Sequence, residues 1–173
     1  MFDPTAFENM KVVVEGAVYD RDLSGEIVVT GRNDWINTAT MSRRYEIYFA
    51  LPNSSLTACL KLDAGLLNLA AELMAPKVSG DDAGCTVTIR FFMEHQNKQY
   101  VYDQIQQTLE KIWGSERNIE QTVKINPLSE TELVHNEAVL PFNRLIVEEQ
   151  IDDLAEMVGY MIISLNSLQK VVH

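Results

Sequence analysis

The chain has 173 residues, 46% of them hydrophobic and 23% charged, and carries a formal net charge of −11 at pH 7. That balance suits a globular fold large enough to bury a core without a staple. It argues against binding to nucleic acid or to an anionic membrane surface, since both need clustered Lys and Arg to displace counterions.

The opening MFDPTAFENM lacks the charged start and long apolar run of a secretory leader, so a cytoplasmic location is expected. Asp3-Pro4 offers a cap and a first-turn proline for a short helix ending near Met10. Residues 11–19 (KVVVEGAVY) are rich in valine, with apolar side chains on both faces, and read as a central strand. Residues 20–25 (DRDLSG) are turn chemistry, residues 26–30 a second strand, and residues 31–34 a break. The segment Asp22-Leu23-Ser24-Gly25 resembles the D-x-S element of PilZ domains, which bind cyclic dinucleotides. The resemblance covers these residues alone. Ile27 stands where that family has its next glycine, and no arginine precedes Arg21 to supply the family's arginine pair, so the segment is read as a turn.

Residues 44–51 (RYEIYFAL) alternate cleanly, with Tyr45, Ile47, Phe49 and Leu51 on one face. Pro52 to Ser55 turn the chain, and residues 56–62 return, completing a four-stranded antiparallel meander. Asp63 is placed to cap a helix over 64–75 that Pro76 stops. The loop at 79–84 (SGDDAG) is the one point where a single unit, 1–173, could divide into subdomains. Cys85, Val87, Ile89, Phe91 and Met93 line one face of the next strand. A helix over 98–113 follows, with Asn97 as its cap and Gly114 as its stop. Two further strands are expected at 118–128, with Ile119, Val123 and Ile125 inward, and at 133–142. The last element is a long helix over 147–172. Its apolar residues step by four and three from Val147 through Ile151, Leu154, Val158, Met161, Leu165 and Leu168 to Val172. The fold class is therefore α+β: a mainly antiparallel sheet of about seven strands with helices at 64–75, 98–113 and 147–172.

Chemistry is harder to place. No glycine-rich phosphate loop, nucleophile elbow or H-E-x-x-H pattern occurs, so no catalytic residue, cofactor or metal is assigned. His135 and Glu137 share a strand face but lack a third ligand. Cys59 and Cys85 are expected to be buried free thiols. His95 continues the apolar phase of its strand to the lip of the core. With Tyr100, or with Arg44 and Trp35, it offers candidate ligand-binding groups. The stripe Ile151, Leu154, Val158, Met161, Leu165 and Leu168 is either core or a self-association seam. The reading that follows is a non-enzymatic cytosolic interaction or regulatory module that self-associates or binds another protein. Its rival is a small-molecule binder or enzyme with a pocket near His95.

Overall fold

A computed structural model describes residues 6–74 and 82–173. In chain order the elements are α1 (Ala6–Leu23), β1 (Val28–Asn37), β2 (Ser42–Ala50), β3 (Thr57–Ala64), α2 (Leu66–Met74), β4 (Gly84–Gln96), α3 (Gln99–Trp113), β5 (Glu120–Lys124), β6 (Leu133–Val147) and α4 (Ile151–Val172). A 3-10 turn, Glu148–Gln150, joins β6 to α4. The fold is α+β, and the six strands among the described residues form one antiparallel sheet in the order β1-β2-β3-β4-β6-β5.

The strand register explains the layering. Ile47, Leu60, Ile89 and Leu140 are cross-strand neighbours through four adjacent strands and are all fully buried. One residue along, Glu46, Lys61, Thr88 and Pro141 form the matching row on the other face, as the two-residue period of a strand requires. Helix α4 lies over β3 and β4 and packs along both α1 and α3. A single hydrophobic cluster runs from Phe7 through the sheet to Leu168.

One expected strand is a helix. Residues 11–19 lie inside α1, which brings the strand count to six rather than about seven. β-Branched Val12, Val13 and Val14 favour a strand locally, but tertiary packing overrides a weak preference. Phe7, Met10, Val14 and Val18 fall on one helical face and are fully buried, while Val12 is left exposed. The expected break at 31–34 is also continuous strand; a register irregularity between Val29 and Gly31 absorbs it.

The other differences are at ends. Asp63 belongs to β3, where it takes Arg44 and Lys61, instead of capping α2. Gly65 immediately precedes that helix, and its N–H is held by Asn68 Oδ1 at 3.0 Å. Lys98, not Asn97, precedes α3, and Asn97 Oδ1 instead accepts from Tyr102 OH at 2.8 Å. Ile125 lies beyond the end of β5 and is exposed. Val147 ends β6, so the last helix begins at Ile151. The Asp3-Pro4 cap, the Pro76 stop and the first half of the 79–84 loop lie outside the described residues.

Helix α1 is tied to the sheet by ion pairs as well as by its apolar face. Lys11 bridges Glu8 (3.0 Å) and Asp34 (2.9 Å), and Arg43 bridges Glu8 (2.7 Å) and Asp34 (2.8 Å). Burial works against ionisation of both carboxyls, but the hydrogen bonds from Lys11 and Arg43 outweigh it and hold both below their ordinary values. Folded values below the unfolded ones mean that this stabilisation is present above about pH 4 and is lost as pH falls through the folded values. Asp34→Asn should lower stability at pH 7 and flatten its decline below about pH 4, as read by urea melts across pH. At the core, Leu165→Ala should cost roughly 2–5 kcal/mol, since the side chain is fully buried. Gly16 sits in the middle of α1 with nothing within 4 Å of an added Cβ. Gly16→Ala should therefore stabilise by roughly 0.5–1 kcal/mol in the same assay.

Candidate functional site

The structure scatters the ligand-binding candidates. His95 is buried, on the helix-covered face at the end of β4. Asn136 Nδ2 donates to its Nε2 at 2.9 Å, which leaves Nδ1 to donate to the Gln96 carbonyl at 2.8 Å. The Tyr102 ring packs against it in a T-shaped arrangement, centroids 5.0 Å apart. The second amide proton of Asn136 goes to Gln121 Oε1, so both ring nitrogens are engaged in tying β4, β6 and β5 together. Tyr100 stands on the first turn of α3, exposed. The recess beside this strand end is lined by Gln96, Lys98, Ile125 and Glu132, among others, and not by His95.

Trp35 and Arg44 are direct cross-strand partners on the opposite, polar face of the sheet. They share a shallow recess of about 250 Å³ with Asn37, Ser42 and Asp63. Arg44 is not free there: its Nε donates to Asp63 Oδ1 at 2.7 Å. On the same face, His135 Nδ1 meets Glu94 Oε1 at 2.9 Å, while Glu137 turns instead toward Arg90. No group of three or more His, Cys, Asp or Glu able to hold a metal occurs among the described residues.

The centre of that face is a polar cluster built around Arg90, whose Nη atoms are hydrogen-bonded while its buried Nε has no hydrogen-bond partner among the described residues. Arg90 Nη2 donates to Glu46 Oε1 and Tyr48 OH, each at 3.0 Å, and Tyr48 OH donates to Glu46 Oε2 at 2.6 Å. The guanidinium also lies over the rings of Phe92 and Tyr48. Glu46 is only 3% exposed, so its charge is tenable because it is paired and hydrogen-bonded. Cys59 lies beneath, and burial pushes its thiol up to about 11 even though Arg90 pulls the other way. Burial likewise pushes Cys85 up to about 12. Both thiols are therefore protonated near neutral pH, the opposite of an activated nucleophile.

Of the two expectations for the α4 stripe, core or self-association seam, the burial of its side chains within their own chain supports core. Leu154, Val158, Met161, Leu165 and Leu168 are all fully buried within their own chain, and Ile151 is partly covered. Met157 and Ile162 widen the buried stripe, as packing between two helices and a sheet demands. A second copy could not reach these side chains without opening the fold.

An exposed apolar surface lies on α2 instead. In LLNLAAELM the two polar residues, Asn68 and Glu72, are one turn apart and point inward. Asn68 holds the Gly65 N–H and donates to the Asp82 carbonyl; Glu72 Oε1 accepts from the Phe7 N–H. The outer arc is Leu66, Leu67, Ala70, Leu73 and Met74. Leu67 is 80% exposed and Leu73 77%. The helix is thus largely inverted: its polar groups serve the backbone of its own chain and Leu66, Leu67 and Leu73 face out, while Leu69 packs against the core and Ala71 is buried. Contiguous apolar surface of this kind marks contact sites. The sequence did carry a signal, because the polar residues at spacing four define one narrow stripe and leave the rest of the helix apolar.

No protein-family model matches the chain, and no curated protein or solved structure matches it significantly. No helix among the described residues is long and apolar enough to cross a membrane.

Serine at both Leu67 and Leu73 should leave thermal stability within about 0.5 kcal/mol of the parent, because exposed side chains away from packing contribute little. It should also lower binding of a hydrophobic dye. A large loss of stability would place these leucines in the core.

Proposed function

We propose that the chain is a non-enzymatic interaction or regulatory module of the cytoplasm that acts as a homodimer, with the outer face of α2 at the centre of the contact. The single observation that carries this reading is the inversion of α2. A face with no charge matters in a molecule of net charge −11. Around a two-fold axis each residue meets its own copy or a near neighbour, so an acidic face would repel itself. The outer arc of α2 contains no acid, and its one carboxylate, Glu72, is turned inward. A basic partner protein would be drawn to the acids elsewhere rather than to this arc.

At nine residues α2 is about 13 Å long. It supplies the apolar centre of an interface that needs about 800 Å² per partner, with neighbouring surface making the rim. Two buried free thiols, Cys59 and Cys85, support a reducing compartment.

Sedimentation velocity at micromolar concentration tests the reading. The parent chain should run as a dimer, and Leu67→Glu with Leu73→Glu should run as a folded monomer with an unchanged circular dichroism spectrum. A parent chain that stays monomeric up to about 100 μM, where contacts of roughly 5 kcal/mol would already register, overturns it.

A further inference from the structure

Arg117 differs from the other arginines of the chain. There are seven, and Arg21, Arg32, Arg43, Arg44, Arg90 and Arg144 each hold a carboxylate. Arg117 makes no ion pair among the described residues. In a chain with 25 acids and 14 bases, an arginine without a carboxylate is a placed group rather than a leftover. Its guanidinium carbon lies over the Phe142 ring, 4.2 Å from the centroid.

Phe142 is the buried floor of a recess of about 300 Å³ between α3, α4 and β6. Trp113 stands against Phe142 edge-on, centroids 5.8 Å apart, and meets Tyr160 at 5.7 Å. The indole is held in place: its Nε1 donates to Ser164 Oγ at 2.9 Å, and that hydroxyl donates to the Tyr160 carbonyl at 2.8 Å. Three rings from three elements, one of them locked by a buried hydrogen bond, make a rigid wall. The size matches the lower end of small-molecule sites, roughly 300–1,000 Å³.

The charges on the rim select among ligands. Arg144 is neutralised by Asp153 at 3.2 Å, which leaves the Arg117 guanidinium and the Glu156 carboxylate. A planar fork of N–H donors beside a cluster of aromatic rings suits a carboxylate joined to a flat apolar body. Glu156 repels a second negative charge, so phosphate esters and dicarboxylates are disfavoured. We infer that this recess binds a small planar aromatic monocarboxylate, its carboxylate on Arg117 and its ring against Trp113 and Tyr160. The inference stands apart from dimer formation, because none of these residues belongs to α2.

The indole N–H resonances of the two tryptophans provide the test. Titration of 2-naphthoate into the ¹⁵N-labelled chain should shift the Trp113 signal saturably, with a Kd below about 1 mM, and leave the Trp35 signal in place. The neutral probe 2-naphthamide, and 2-naphthoate with Arg117→Gln, should each bind about tenfold more weakly or worse, the usual cost of losing a charge-assisted hydrogen bond. Glu156→Gln should retain naphthoate binding and admit the dianionic 2-naphthyl phosphate. Absence of a saturable Trp113 shift, equal binding of acid and amide, or undiminished binding by a folded Arg117→Gln chain overturns the assignment. Should Arg117→Gln fail to fold, the acid-against-amide comparison on the parent chain decides.

Discussion

Leu154, Val158, Met161, Leu165 and Leu168 of α4, sealed between α1, α3 and strands β3 and β4, set the terms for the rest of the molecule. Burying each such side chain contributes roughly 1.5–3 kcal/mol, so the stripe alone is comparable to the net stability of a domain. It is also non-local, because residues of α4 close over strands laid down far earlier in the chain. Helix α1 is held on the flank of α4 by its own apolar face and by the Lys11, Arg43, Glu8 and Asp34 pairs.

That arrangement decides where function can lie. The helix-covered face of the sheet is fully used, and even its histidine is engaged through both ring nitrogens. The opposite face is polar, but its central charges are matched to one another around Arg90. Two places among the described residues stay open: the outer arc of α2 and the aromatic recess under Arg117. One offers uncharged apolar surface and the other a guanidinium without a carboxylate among the described residues.

Much of the fold is legible in the sequence where periodicity is strong. β2, β4 and β6 follow the alternation of Tyr45-Ile47-Phe49, Val87-Ile89-Phe91 and Ala138-Leu140-Phe142, and α4 follows its four-three steps. Residues 11–19 were not legible as helix, because three successive valines mask the 3.6-residue spacing of Phe7, Met10, Val14 and Val18. The difference between core and interface on α4 was not legible either, since an apolar stripe looks the same whether its own chain or another covers it. The recess is a further case: Trp113, Arg117, Phe142 and Tyr160 are brought together by topology alone. His95 was correctly phased to the lip of the core, yet phase could not show that Asn136 would be waiting for it.

The central claim is that the α4 stripe is internal and α2 carries the exposed apolar contact. Amide hydrogen exchange measured over a hundredfold range of protein concentration tests it most directly. The account predicts strong protection of residues 154–168 that does not change with concentration, and protection of residues 66–74 that rises with it. Protection of the α4 stripe that appears only at high concentration, with α2 unaffected, would contradict the account.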